Sequence, residues 1–224
     1  MNSSKVLYPS LVKGFINKEV ESNHDFLPEL LVNDSVKNSK VLTTIIYELE
    51  NCDEFWFSVA FITTSGVASI INTLLELKKD KRIKGKIVTS KYLNFTQPLA
   101  LERLLYNFPD IELRIVEQGD FHAKGYLFRK NDTYNLIIGS SNLTAAALSK
   151  NKEWNLKVTS KDTSYLMQVA LKQFEYEFQN ATIVSTDWLL KYSVLYAQVK
   201  ILNTRIEEVE EKIKEIKPNL MQKE

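Results

Sequence analysis

The sequence predicts an α/β fold, a mixed β-sheet flanked by helices on both faces and followed by a C-terminal helical extension. Three observations carry this. Short apolar runs alternate with helically spaced segments between Phe55 and Glu117, two strand-like runs stand one turn apart between His122 and Gly139, and past Ser160 the pattern is helical to the end. Strand–helix alternation implies parallel neighbours and a hairpin implies antiparallel ones, so a domain holding both has a mixed sheet.

The opening forty residues are weakly patterned and read as loop with a short helix or two. From Val41, VLTTIIYELE sets Leu42, Ile45, Ile46 and Leu49 on one helical face, and FWFSVAFI (Phe55 to Ile62) is an apolar run of the kind buried on both faces of a sheet, with Trp56, Phe57 and Phe61 as core residues. Thr63, Thr64 and Ser65 can cap a helix carrying Val67, Ile70, Ile71, Leu74 and Leu75. GKIVTS (85–90) is strand-like, Pro98 opens a helix in QPLALERLLYNF, and IELRIVE (111–117) alternates as a strand. HAKGYLFR (122–129) and TYNLIIG (133–139) flank KND, a turn composition. A short helix, TAAALS, and a last strand, EWNLKVTS (153–160), complete a domain expected to span 1–160, with 161–224 as the helical extension. In that extension Leu195, Val199, Leu202, Ile206, Val209, Ile213 and Ile216 keep a 4-3 spacing over about three heptads, the seam of a long amphipathic helix.

Composition narrows the function. Of 224 residues 44% are hydrophobic and 25% charged, with 6 Gly and 5 Pro, which excludes a disordered chain. With 29 Lys+Arg against 28 Asp+Glu the net charge is +1, so an anionic partner must be met by a local patch. Cys52 stands alone, which excludes an intramolecular disulfide and a cysteine zinc site. No apolar run approaches the roughly eighteen residues of a membrane span. A cytoplasmic protein without a membrane partner is therefore expected.

Of the two histidines, His24 lies in polar ESNHDF and reads as structural. His122 lies in FHAKGYLF, where a period of two puts His122, Lys124, Tyr126 and Phe128 on one strand face. GSSNLTAAAL follows, with Gly139 closing an apolar strand and Ser140, Ser141, Asn142 and Thr144 preceding a helix; short polar side chains and unpaired amides there favour an anion. Imidazole, ammonium, hydroxyl and carboxamide together suit attack on a phosphodiester, with a nucleophile and donors for the charge on the non-bridging oxygens. No carboxylate pair or His/Cys cluster with metal spacing accompanies them, so neither metal nor cofactor is expected. Lys91, Tyr92 and Asn94, in a loop after a parallel strand, are possible DNA contacts.

HAKGYLF followed by IIGSSNLT resembles the HxK and GSxN halves of the phospholipase D superfamily motif, and the stretch from about Phe55 to Ser160 looks like one such domain. The resemblance implies that His122 is the nucleophile of a phosphohistidine intermediate and that Lys124, Ser140 and Asn142 hold the phosphate, with Ser141 beside them in the same loop. The full motif has an Asp five residues after the Lys; this chain has Arg129 there, and Asp132 is out of register. In the single-motif endonuclease branch a Glu eleven residues past the Asn supports the histidine, and Glu153 stands at that spacing. One copy of the motif supplies one histidine where the family uses two, which implies a homodimer sharing one active site.

IKPNLMQKE (216–224) resembles the segment that opens the motor of superfamily 2 DNA helicases, where a Gln such as Gln222 reads adenine, although no GxxxxGK[ST] loop occurs in the chain. The combined resemblance implies a metal-independent nuclease domain acting on DNA within a larger helicase or restriction-type protein. The alternatives are a module of the same fold that grips nucleic-acid phosphates and tethers a helicase without cutting, and a phospholipid-processing enzyme, for which no acyl-binding or membrane-facing segment is evident.

Overall fold

A computed structural model describes the backbone of residues 3–80, 84–91 and 94–220 and the side chains of residues 4–80, 84–91 and 94–213. The chain divides into two compact units, Met1–Val184 and Ser185–Glu224.

The first unit is built on one sheet. Its strands are β1 (Glu29–Val32), β2 (Glu54–Val59), β3 (Gly85–Ser90), β4 (Ile111–Val116), β5 (Lys124–Lys130), β6 (Thr133–Gly139), β7 (Trp154–Lys161) and β8 (Thr182–Ile183). They lie in the order β1-β7-β6-β5-β2-β3-β4-β8. β2, β3 and β4 run parallel, and the remaining neighbours pair antiparallel. The mixed sheet is as the sequence predicts. The β5–β6 hairpin turns at Asn131, whose φ of 54° is a conformation that asparagine tolerates better than most residues.

Helices α1 (Ser3–Phe15), α2 (Val41–Asn51), α3 (Thr64–Lys79), α4 (Pro98–Asn107), α5 (Ala145–Ser149) and α6 (Tyr165–Gln179) complete this unit. Their starts follow the local sequence. Thr63 caps α3 by accepting from the Gly66 N–H at 3.1 Å, Thr144 caps α5 through the Ala147 N–H at 3.0 Å, Ser164 caps α6 through the Met167 N–H at 3.2 Å, and Pro98 sits in the first turn of α4.

Both faces of the sheet are covered because both parities of the central strands are apolar. On one face Trp56, Val88, Leu127, Tyr134 and Leu136 pack against Met167, Phe174 and Phe178 of α6. The opposite parity of β2 and its neighbours supplies Phe55, Phe57, Ile87, Tyr126 and Phe128, all buried, with Phe57 meeting Tyr126 and Phe128 edge-on at 5.0 and 5.7 Å between ring centres. The layer formed by α2, α3, α4 and α5 lies over them.

One charged network is buried with this second face. Lys157 Nζ on β7 lies 2.8 Å from Glu48 Oε1 on α2, the two side chains only 9% and 4% exposed. Asn135 donates to Glu48 Oε2 at 2.6 Å and accepts from the Thr159 hydroxyl at 2.6 Å.

Three differences from the sequence reading concern the sheet and the unit boundary. β1 forms in the weakly patterned opening segment because an edge strand with one buried position, Leu31, needs little apolar signal. The run from Phe55 ends its pairing at Val59, which leaves Phe61 and Ile62 in a loop that reaches the later motif. The first unit extends past Ser160 to Val184, since α6 closes one sheet face and β8 pairs with β4. The second unit holds a single long helix, α7 (Thr186–Leu220), on which the seam residues Leu202, Ile206, Val209 and Ile213 are exposed. Ile216 lies outside the described side chains.

Candidate functional site

The site lies where the parallel strands β2 and β3 end and antiparallel β5 begins. His122 and Ala123 precede β5 and do not belong to it, so His122 is exposed on a loop anchored from below. That anchor is specific. The Ala60 N–H donates to the Ala123 carbonyl at 2.7 Å, and the Ser90 hydroxyl at the end of β3 lies 3.4 Å from the Phe121 carbonyl.

The second half of the motif is drawn to the same place. The Phe61 N–H donates to Asn142 Oδ1 at 3.2 Å, and the Thr63 N–H donates to the Leu143 carbonyl at 3.1 Å. Ala60 and Phe61 are consecutive, so one turn of chain after β2 holds the His122 segment with one amide and the Asn142 side chain with the next. Asn142 is itself buried, and its fixed Oδ1 leaves Nδ2 as the side chain's donor. From beneath, the Tyr126 hydroxyl on β5 donates to the Ser141 carbonyl at 3.0 Å. Burial drives the Tyr126 hydroxyl pKa far above the usual tyrosine value, with the Glu153 charge adding to it, so this group remains a donor.

Lys124 Nζ lies 2.9 Å from His122 Nδ1 and 3.3 Å from Nε2, and it also donates to the His122 carbonyl at 2.9 Å. Burial lowers the Lys124 pKa below the ordinary lysine value, opposed by the Glu153 carboxylate, which favours the ammonium. Glu153 is therefore close enough for Lys124 to feel its charge. It accepts from the Ser140 hydroxyl and from Asn151 Nδ2 at 3.4 Å. Ser140 Oγ in turn accepts from the Trp154 N–H at 3.1 Å.

His122, Lys124, Ser140, Asn142 and Glu153 thus gather at one end of the sheet. Ser141 does not join them, which corrects its expected place among the phosphate-holding residues. It is fully buried; its Oγ accepts from Asn155 Nδ2 at 2.9 Å and donates to the Ala147 carbonyl at 3.5 Å, and its N–H donates to Asn155 Oδ1 at 3.2 Å, so both its donors face inward. Asn155, absent from the sequence reading, is the buried brace of this loop; a polar residue inside an apolar strand was the signal available. Among the possible DNA contacts, Lys91 is paired with Glu117 at 3.2 Å, Asn94 adopts a φ of 55°, and Tyr92 lies outside the described residues, as does Gln222.

Arg129, which replaces the motif's Asp, is far from the chemistry. It stands five residue steps along β5 from Lys124, on the order of 16 Å at about 3.3 Å per residue. Its guanidinium pairs with Glu54 at 2.9 Å, directly across the β2–β5 ladder. Asp132 is engaged by Lys161 at 3.2 Å. Among the described residues no group of three or more His, Cys, Asp or Glu side chains is arranged to hold a metal ion, and no helix is long and apolar enough to cross a membrane.

A packing test bears on the site. A Cβ added to Gly66 on α3 would stand 1.9 Å from the Leu143 carbonyl oxygen, next to Asn142. Gly66→Ala is expected to push α3 and this loop apart, costing about 1–3 kcal/mol as an overpacked contact. Urea denaturation read by circular dichroism measures it.

The comparisons with known proteins agree with this architecture. A family model described as "Cardiolipin synthase, PLD-like domain" matches residues 45–180. Among solved structures, NucT from Helicobacter pylori is similar at TM-score 0.55 and 16% identity, covering 71% of this chain and 99% of that one. Nuc from Salmonella typhimurium, a phospholipase D family member, is similar at TM-score 0.54 and 18% identity, with the same two coverages of 71% and 99%. A phosphatidylserine synthase from Haemophilus influenzae is similar at TM-score 0.53 and 12% identity, over 78% of this chain and 46% of that one. No curated protein matches the sequence significantly. Identities this low establish a shared fold, and the family match over residues 45–180 establishes the kinship.

Proposed function

Because the chain belongs to the phospholipase D-like family, we propose that it is a metal-independent phosphodiesterase acting on DNA, with His122 as nucleophile. The observation that carries this reading is the convergence of the two motif halves on Ala60 and Phe61, which brings an exposed imidazole and a half-buried ammonium to the loop that holds the Asn142 carboxamide.

In the reaction we propose, an unprotonated ring nitrogen of His122 attacks phosphorus and forms a phosphohistidine while the bond to the leaving oxygen breaks. Lys124 and Asn142 Nδ2 donate to the non-bridging oxygens as their charge grows. The ammonium that rests on His122 turns to the phosphate for this step. The Ser140 hydroxyl donates a hydrogen bond to Glu153, so its part, in place of holding phosphate, is to fix that carboxylate, whose negative field favours the Lys124 ammonium. Water then cleaves the phosphorus–nitrogen bond and restores the histidine.

The leaving oxygen needs a proton, and a histidine acting as nucleophile cannot supply it in the same step. We assign that proton to the His122 of a second copy, in a homodimer with a shared site. Light scattering on the purified chain is expected to give a dimer mass, and cleavage of plasmid or single-stranded DNA should proceed in EDTA. A monomer that still cuts would remove the second histidine from the mechanism, and DNA binding without cleavage would favour the tethering module instead.

Phosphate contact has a separate signature. Affinity for single-stranded DNA should fall as salt rises, and Lys124→Gln should reduce the steepness of log K against log salt by about 0.7 for each lysine that meets a phosphate. Fluorescence anisotropy across a salt series reads this. An unchanged slope would place the phosphate elsewhere.

We also propose that this is a cytoplasmic nuclease domain joined to a helicase or restriction-type partner through α7; the similarity of residues 216–224 to the start of a helicase motor supports the helicase partner.

A further inference from the structure

A groove of about 400 Å³ runs between α6 and the sheet face formed by β2, β5 and β6, and Lys124 lines it. Gly125, Leu127, Leu136 and Ile138 form the sheet wall, while Val169 and Phe174 stand on the helix wall. The space exists because the sheet side is cut back. Ser58 sits directly across the ladder from Gly125, and a Cβ on Gly125 would meet nothing nearer than Ile138 Cγ2 at 3.9 Å.

One part of the groove is polar. The Ser58 hydroxyl donates to Glu177 Oε2 at 2.8 Å, Gln173 Nε2 donates to Glu177 Oε1 at 2.9 Å, and all three residues line the groove. Each carboxylate oxygen can accept a further hydrogen bond, so Glu177 retains capacity for a donor on a ligand.

These features restrict the occupant. It must be joined to the phosphate, because Lys124 belongs to both the groove and the phosphate site. It must present apolar faces to Leu127, Leu136 and Phe174 and a hydrogen-bond donor to Glu177. An acyl chain meets the first demand and fails the second, because it would strip water from the carboxylate and offer it no partner. A heterocyclic base with an amino group meets both, provided it is not paired in a duplex.

We propose that this groove seats an unpaired nucleobase next to the phosphodiester held at His122 and Lys124, with Glu177 accepting from the amino group of adenine, cytosine or guanine. The inference rests on the phosphodiesterase reading above and adds that the ligand is single-stranded and recognised by a base.

Gly125→Val tests it, since the added side chain enters the groove without backbone strain and suits a strand. Anisotropy compares a single-stranded oligonucleotide with an abasic one of equal length, which keeps every phosphate and lacks the bases. The wild type should bind the base-bearing strand about tenfold more tightly, the value of one stacked base. Gly125→Val should erase that difference while its abasic affinity and melting temperature hold. Glu177→Gln should reduce the preference for oligo-dC over oligo-dT.

Equal affinity of the wild type for both strands would overturn the inference, as would a Gly125→Val protein that still prefers bases. Conversion of a dimer to a monomer by Gly125→Val would give the groove to subunit contact and overturn it too, as would loss of phosphatidylglycerol hydrolysis in place of the base effect. Failure of the phosphodiester reading looks different. In that case His122→Ala and Lys124→Gln would leave both the cleavage and the abasic binding untouched.

Discussion

DNA cleavage in EDTA is expected to fall by at least about 10³-fold when His122 is replaced by alanine, because the variant lacks the atom that bonds to phosphorus. Alternative bases near the site do not substitute. The Tyr126 hydroxyl is held protonated by burial, and Lys124, whose pKa burial lowers against the opposing Glu153 field, is committed to the non-bridging oxygens. The exposed ring contributes little packing, so the fold should survive and melting should move by less than about 0.5 kcal/mol. The informative assay therefore pairs a rate with a melt. Full loss of cutting with an intact fold supports the nucleophile, and retained cutting at the wild-type rate would assign the activity to a different site. In a shared-site dimer His122→Ala also removes the proton donor, so the variant loses both roles at once, and adding imidazole should rescue the rate poorly.

The largest expected effect on stability is at Lys157. Its ammonium and the Glu48 carboxylate are almost wholly excluded from water and lie 2.8 Å apart. Lys157→Met keeps the unbranched stem without the ammonium and abandons a buried carboxylate with Asn135 as its donor. Breaking one partner of such a pair costs about 3–5 kcal/mol, since desolvation of the remaining charge is no longer offset. The double variant Glu48→Gln, Lys157→Met should recover most of that loss, because the pair itself contributes little beyond the two charges' own desolvation. Chemical denaturation of the wild type, Glu48→Gln, Lys157→Met and the double variant gives the coupling directly. Equal destabilisation in the single and double variants would show that packing, and not the stranded charge, sets the cost.

The two effects sit on opposite sides of what the pattern of residues could reveal. His122, Lys124 and Asn142 were legible because their chemistry is rare and their spacing fits strand and turn contexts. In the sequence Lys157 is one more lysine within a strand segment and Glu48 one of several charged residues near a helix end. Neither could be seen as buried until α2 was laid on β7, since burial is a property of what covers a residue. Ser141 shows the converse. It shares a loop with Ser140 and has the same side chain, yet one residue's shift turns its hydroxyl inward to Asn155.

The sequence by itself determined most element types, the mixed sheet and the residues proposed for the chemistry, because hydrophobic periodicity and turn composition are local. Tertiary structure alone decided how the pieces meet. Distant amides at Ala60 and Phe61 gather the two motif halves, α6 joins the first unit beyond Ser160, and small residues at Ser58 and Gly125 open a groove beside Lys124. Each of these depends on contacts between segments far apart in the chain, and no periodicity within a segment encodes the register in which it will be covered.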